Sequence, residues 1–185
     1  MTQLQKAISK ADKELMEEGR HQILMVHGAA AVALKNKWKY SNKKINEVFE
    51  ASDRVWKEIG TDNRISMLQK LEDETGIELR LTDYPEASFH DLAYLNDSGQ
   101  YLDKITGMQF LAMRKKQTKW VGAMIQACLY IALSREYGWG QVKIGHLMEE
   151  IREIREAAGQ KEKKIIDLCR QETGIDCISR FCTGY

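Results

Sequence analysis

The chain has 185 residues, with 28 Lys and Arg against 27 Asp and Glu, so its formal net charge at pH 7 is +1. This balance excludes a global electrostatic attraction to nucleic acid or to an anionic membrane, and leaves only local patches for such binding. A single proline among many Ala, Leu, Lys and Glu residues favours helices over short strands. Since neither a secretory signal nor a bilayer-length apolar run is evident, we expect a cytoplasmic protein without a membrane partner.

The first two predicted helices occupy residues 3–18 and 20–38, separated by a break at Gly19. The first has apolar residues at gaps of three and four, which is the spacing of an amphipathic helix. The second contains the small-residue run HGAAAVAL. Because small side chains let two helix backbones approach closely, we expect this helix to be the most buried of the first half.

Two further helices are predicted after a turn near Tyr40. Ser41 or Asn42 can cap the first of them by accepting a hydrogen bond from a backbone amide. Gly60 is expected to end that helix. Gly76 is expected to stop the next one, since glycine takes the left-handed conformation that closes many helices.

Two segments of the chain resemble each other, ALKNKWKYSNKKINEVFEAS at 33–52 and ALSREYGWGQVKIGHLMEEI at 132–151. Their matching residues share one offset of 99 positions. ETGI at 74–77 recurs at 172–175, with the offset shortened by one. We therefore predict an all-α protein in which two repeated helical units pack in a pseudo-two-fold arrangement. The alternative is that any two amphipathic helix pairs look alike.

The turns of the two segments differ in their glycines. YGWGQ contains Gly138 and Gly140, which can adopt positive φ without steric cost. The first copy, WKYSN, has Lys39 and Ser41 at these positions, and we expect it to turn with Ser41 and Asn42.

Two aromatic residues flank each turn. Trp38 and Tyr40 flank the first, and Tyr137 and Trp139 flank the second. Such rings either fix the angle between two packed helices or, if they are exposed beside lysines, stack on nucleic-acid bases. Packing is the preferred interpretation, because large aromatic side chains usually bury most of their area.

The predicted organisation is an N-terminal helix at 1–19, a first repeat at 20–77, an irregular connector at 78–119, and a second repeat with a C-terminal tail at 120–185. The connector contains several turn signals of Pro, Gly, Asn and Asp. A short β-hairpin and additional short helices are both compatible with its sequence.

Catalytic and metal-binding signatures are missing from the sequence. The four histidines pair with no nucleophile at a familiar spacing, and no H-E-x-x-H, P-loop or G-x-S-x-G occurs. The four cysteines form no C-x-x-C pair, which favours reduced thiols over a zinc site. We therefore expect no enzymatic activity, no cofactor and no bound metal.

Basic residues cluster with aromatic residues in two regions, which is the pattern expected of nucleic-acid contact. A solvated helix face is the alternative, since acidic runs such as MEEIREIRE offset the field elsewhere. The predicted contact residues for nucleic acid or another partner are Lys35, Lys37, Trp38, Lys39, Lys43, Lys44, Arg114, Lys115, Lys116, Lys119, Gln141 and Lys143.

Two other interpretations of the repeat remain open. Its helix-turn-helix-like order would let the helix that begins at Asn42 or Gln141 read base edges, as in a phage transcriptional or replication accessory protein. The spacing to the turn is longer than in the standard motif. The repeat could instead serve as a structural or oligomerisation module, for example in a homodimer.

In the two repeated segments, the chain resembles small helical proteins encoded by phages and mobile elements of Firmicutes. The shared pattern is Ala-Leu, a few polar residues, aromatic-Gly-aromatic-Gly, then a basic residue and Ile or Leu. YGWGQVKI at 137–144 is the closer match, while Lys39 and Ser41 replace the glycines of the first copy. The resemblance implies a phage context and no reaction.

Phage proteins of this size include inhibitors of host defence, among them Cas9-blocking anti-CRISPR proteins. We therefore expect a non-enzymatic phage-type binding protein in the host cytoplasm. Its expected partner is a nucleic acid or a nucleoprotein complex such as Cas9.

Overall fold

A computed structural model describes residues 2–60, 64–79 and 107–181, which contain helices and no strand. The all-α class is therefore confirmed. The β-hairpin considered for the connector falls on residues outside these ranges. The helices are α1 (Gln3–Asn36), α2 (Asn42–Gly60), α3 (Arg64–Thr75), α4 (Gly107–Tyr137), α5 (Gln141–Ala157), α6 (Glu162–Thr173) and α7 (Cys177–Phe181).

Helix α1 runs for 34 residues without interruption, so the break predicted at Gly19 is wrong. The helix begins with a capping box, in which the Thr2 hydroxyl accepts from the Gln5 amide and the Gln5 side chain accepts from the Thr2 amide. Gly19 is buried, and a Cβ at this position would lie 3.6 Å from Val121 of α4. This glycine marks a close approach of two helices and not a helix end.

Helix α4 is the second long helix, and its 31 residues begin at Gly107. The boundary predicted between residues 119 and 120 therefore lies inside a continuous helix. The boundary between residues 19 and 20 lies in the same way inside α1. Neither position separates two structural units.

The two long helices lie at the centre of the fold, and each packs on helices from the other half of the chain. Helix α1 packs against α4, α5 and α6, whereas α4 packs against α1, α2 and α3. Each long helix thus packs mainly on short helices of the other half of the chain. Residues 23–34 of α1 are all buried in the shared core, as the run of small residues predicted. None of the described helices has the length and apolar character needed to cross a bilayer.

The two ETGI segments end α3 and α6 with the same hydrogen bonds. In each, the Thr hydroxyl donates to the carbonyl four residues earlier at 2.6 Å and accepts from the amide two residues later at 3.1 Å. The glycine that follows is left-handed in both, with φ of 69° at Gly76 and 70° at Gly174. The predicted stop at Gly76 is therefore confirmed. A common origin of the two halves stays a prediction, which these matched ends favour.

Candidate binding surface at the helix corners

Two short corners join a long helix to the helix after it, α1 to α2 and α4 to α5. Gly138 has the positive φ expected of it, 63°, whereas Gly140 is extended with φ −85° and ψ 176°. In the first corner the left-handed residue is Lys39, with φ 56°. The prediction that this corner turns with Ser41 and Asn42 is wrong, because a lysine adopts the conformation that glycine has in the second corner.

Four aromatic rings bring the two corners together. The ring centroids of Trp38 and Trp139 are 5.1 Å apart, and those of Tyr40 and Tyr137 are 6.2 Å apart. Tyr40 is 9% exposed and Trp139 is 1% exposed, so neither ring offers a face to a nucleic-acid base. Trp38 and Tyr137 are partly buried against the same core. Packing, the preferred interpretation of these rings, is what the structure shows.

Two lysines from distant parts of the sequence cover this ring cluster. The ammonium of Lys44 lies 4.0 Å from the Tyr40 ring centroid and 5.4 Å from that of Tyr137. The ammonium of Lys143 lies 4.3 Å from the Trp139 centroid. Within the described ranges, neither lysine has a carboxylate partner within 4 Å. Each is held by a cation–π contact and keeps its charge available to a partner.

Lys39 and Lys43 extend the positive surface of the first corner. Lys39 is exposed and has no ion-pair partner in the described part of the chain. Lys43 is 88% exposed and lies 3.9 Å from Glu47, a solvent-screened pair that holds it only weakly. We call Lys39, Lys43, Lys44 and Lys143 together the corner patch.

Lys35 and Lys37 are engaged within the protein. Lys37 forms an ion pair with Glu150 of α5 and lies 5.7 Å from the Trp38 ring centroid. Lys35 donates to the Asn42 side chain at 3.2 Å. The ammonium groups of these two lysines are therefore less available to a partner than the sequence predicted.

The residues assigned to base reading make contacts between the two halves. The Gln141 amide donates to the carbonyl of Gly76 at 2.8 Å, and the Asn42 amide donates to the carbonyl of Thr173. Each side chain thus holds the end of a short helix from the other half. Reading a base edge with either residue would require breaking this internal hydrogen bond.

The second predicted basic cluster lies on α4, in the half of the helix nearer its N-terminus. Only its backbone belongs to the described structure, so its relation to the corner patch stays a prediction. Its residues are Arg114, Lys115, Lys116 and Lys119.

The described residues contain no group of three or more His, Cys, Asp or Glu side chains placed to hold a metal ion. Cys128, Cys169 and Cys177 are buried and form no disulfide bond among the described residues, and Cys182 lies outside those residues. Burial raises the pKa of the Cys128 thiol, which keeps it in the unreactive protonated form.

Comparison with family models, with curated proteins and with solved structures finds no match for the chain. The resemblance to helical phage proteins accordingly stays a prediction. The function is therefore inferred from the geometry of the two corners.

Proposed function

We propose that this chain is a non-enzymatic binding protein whose corner patch contacts the phosphate backbone of a nucleic acid. The observation that carries the proposal is the pairing of Lys44 and Lys143. These two lysines are 99 positions apart in sequence, yet both lie over one ring cluster. Among the described residues, neither lysine has a carboxylate partner. Lysines that neutralise phosphates release counterions, which is the main source of affinity in sequence-independent binding.

The proposed contact is to phosphates and not to bases. The two buried rings offer no stacking surface, and the amides of Asn42 and Gln141 are engaged inside the protein. A lysine ammonium acts on phosphate as a point charge and carries no sequence information. This favours backbone binding over the transcriptional reader that the sequence left open.

Salt-dependent binding to labelled duplex DNA of random sequence tests the proposal. Fluorescence anisotropy is measured over roughly 50 to 200 mM salt, where each phosphate contact contributes a slope of about −0.9 to the plot of log K against log salt. In the variant Lys44→Gln/Lys143→Gln, we expect weaker binding at low salt and a slope shallower by about 2.

The matched control is Lys10→Gln/Lys13→Gln, which removes the same charge from α1. These lysines are exposed, form i,i+4 pairs with glutamates, and lie roughly 40 Å along the helix from Trp38. We expect the control to bind duplex DNA like the unaltered protein. Absence of binding at the lowest salt, or equal losses in both variants, contradicts the proposal and leaves the structural-module interpretation.

A nucleoprotein effector such as Cas9 is the more specific form of the same proposal. It is supported by the resemblance of YGWGQVKI to phage proteins and by the charges of Lys44 and Lys143, which have no carboxylate partner among the described residues. A Cas9 cleavage assay with and without the protein tests it. Inhibition that the Lys44→Gln/Lys143→Gln variant loses supports it, whereas undiminished cleavage across several type II orthologues contradicts it.

A further inference from the structure

Helices α3 and α6 end with the same hydrogen bonds, but the residues four positions before and after the threonine differ. In the first half of the chain they are Leu71 and Leu79, which belong to the apolar core or pack against it. In the second half they are Cys169 and Cys177, both with 0% exposure. Since leucine fills these positions in the first half, a turn of this kind does not require cysteine. We call Cys169 and Cys177 the thiol pair.

The side chains of the thiol pair are in contact with each other. The Cys177 thiol donates a hydrogen bond to the sulfur of Cys169. Cys169 Sγ also lies 3.6 Å from the Thr173 hydroxyl, and Cys177 Sγ lies 4.0 Å from the carbonyl oxygen of Ile175. A disulfide needs two cysteine side chains that face each other at short range, and the thiol pair meets this condition in its reduced form.

Helix α1 has a glycine where it meets this part of the fold. A Cβ at Gly28 would lie 3.8 Å from Cys177 Sγ and 2.6 Å from Cγ2 of Ile165, one helical turn before Cys169. At Gly28, therefore, α1 has no side chain to place between the end of α6 and the start of α7.

The hydrogen bond makes the two thiols chemically unequal. The bond donated by Cys177 lowers the pKa of Cys169, against the effect of burial and with a smaller contribution from the Thr173 hydroxyl. The same bond raises the pKa of Cys177, and burial raises it further. Because the thiolate is the nucleophile in thiol chemistry, Cys169 is the sulfur that attacks first.

We propose that the thiol pair is a reversible oxidation site, at which hydrogen peroxide joins Cys169 and Cys177 through a disulfide bond. The bond links the last turn of α6 to the first residue of α7. Disulfides that form in a reducing compartment are usually transient and redox-sensing. This inference goes beyond the phosphate contact proposed for the corner patch and rests on different residues.

The oxidation takes place in two steps. The Cys169 thiolate attacks one oxygen of hydrogen peroxide, the O–O bond breaks, and Cys169 becomes a sulfenic acid as the first water leaves. The Cys177 sulfur then attacks the Cys169 sulfur, the S–S bond forms, and the sulfenic hydroxyl leaves as the second water. The two thiols together lose two electrons and two protons, which the peroxide takes up.

The oxidant reaches the buried thiol pair when α7 opens. This helix has only five residues, and its Arg180 donates to the side chain of Asn46 at 3.2 Å and to its carbonyl at 3.3 Å. Phe181 adds an edge-on contact to Phe49, with ring centroids 4.7 Å apart. A short helix held by a few contacts opens at a lower free-energy cost than the whole fold, and its opening moves Cys177 outwards.

Oxidation of the folded full chain, followed by tryptic mapping, tests the inference. The protein is treated with hydrogen peroxide, free thiols are blocked with N-ethylmaleimide, and the digest is analysed by mass spectrometry without reduction. Trypsin cleaves after Arg170, between the two cysteines, so the disulfide joins peptides 165–170 and 171–180. We expect this linked peptide as the main oxidation product, and its loss after treatment with dithiothreitol.

Two further pairs of variants test the roles of individual residues. In Cys177→Ser, dimedone should trap a sulfenic acid at Cys169, whereas in Cys169→Ser it should label Cys177 far less; equal labelling contradicts Cys169 as the attacking sulfur. Arg180→Gln should speed formation of the linked peptide by roughly threefold or more, because α7 opens more easily. The control Cys182→Ser should leave the rate unaltered. Equal rates in Arg180→Gln and Cys182→Ser contradict access through α7.

Absence of the linked peptide from protein that circular dichroism shows to be folded overturns the inference. A linked peptide that contains Cys128 or Cys182 in place of either member of the thiol pair overturns it as well. The mapping needs no substitution, so it decides the inference even if a variant of a buried cysteine fails to fold. It also needs no nucleic acid, so its result is independent of whether the corner patch binds DNA.

Discussion

The indole of Trp38 lies against the indole of Trp139, with their ring centroids 5.1 Å apart. Trp38 precedes the left-handed Lys39 of its corner, whereas Trp139 follows the left-handed Gly138 of the other. The contact joins the two corners, just as α1 and α4 each pack on the short helices of the opposite half. Two corners 99 positions apart in sequence are thereby in direct contact.

The left-handed conformation of Gly138 gives a first prediction. Gly138→Ala should lower the free energy of unfolding by about 1 kcal/mol, because Ala must hold a φ of 63°. Gly145→Ala is the control, since its added Cβ meets nothing within 4 Å and removes a glycine from the interior of α5. That change should stabilise the protein by about 0.5 to 1 kcal/mol. Urea unfolding measures both, and a similar loss in the two variants would contradict the assigned turn.

Replacing either of two glycines of α1 by alanine should change the free energy of unfolding, in opposite directions for the two positions. A Cβ at Gly28 would lie 2.6 Å from Cγ2 of Ile165 on α6, whereas a Cβ at Gly19 would lie at an ordinary 3.6 Å from Val121. We expect Gly28→Ala to destabilise the protein by about 1 to 3 kcal/mol and Gly19→Ala to stabilise it by a fraction of that.

Ile165→Leu removes the methyl group that Gly28→Ala would meet. In a double-mutant cycle by urea unfolding, the two changes should therefore be less destabilising together than the sum of their separate effects. Additive effects would show that the close approach of α1 and α6 does not exist.

Gln141 is predicted to stabilise the fold and to carry no sequence preference. Gln141→Ala removes its hydrogen bond to the carbonyl of Gly76 and should cost about 1 kcal/mol in thermal or urea unfolding. Its neighbour Val142 is 74% exposed, so Val142→Thr serves as a neutral control. If Gln141→Ala leaves stability unaltered but changes the preferred DNA sequence, Gln141 reads base edges and the proposal of contact to phosphates alone is wrong.

The buried His27 predicts a loss of stability in acid. Its pKa is lowered to about 3 in the folded protein, from an ordinary value of 6.5. The unfolded chain therefore binds the extra proton first, and the free energy of unfolding should fall as pH drops from about 6.5 towards 3. The contribution approaches 1.4 kcal/mol per pH unit.

The variant His27→Leu separates this contribution from that of the carboxylates, which titrate in both proteins. Unfolding by urea at several pH values should give a shallower acid loss in the variant than in the unaltered protein. Equal slopes would mean that His27 takes up its proton in the folded state.

The sequence was sufficient for the helical class and for several local features, because these depend on short-range physics. Periodic apolar residues predict helices, and the glycine of ETGI predicts the left-handed end at Gly76. The break at Gly19 was predicted wrongly, since a glycine inside a helix can equally serve close packing with Val121. The turn at Lys39 was missed because a lysine rarely adopts positive φ.

The candidate sites depended on contacts that no local pattern contains. The repeat could have predicted that the two corners lie side by side. It could not have predicted that Lys44 packs over Tyr40 and Tyr137 while Lys143 packs over Trp139 of the same ring cluster. Glu150, the acidic partner of Lys37, lies 113 positions away. The cavity that His27 lines joins residues from four helices, and the sequence signals it only by a histidine within a run of small apolar residues.

An NMR titration of the isotope-labelled full chain with short duplex DNA tests the central claim most directly. We predict that backbone amide shifts concentrate in residues 39–44 and 138–143 together, and that they diminish as salt is raised. Shifts confined to one of these segments, or located outside both, would contradict a single binding surface formed by the paired corners.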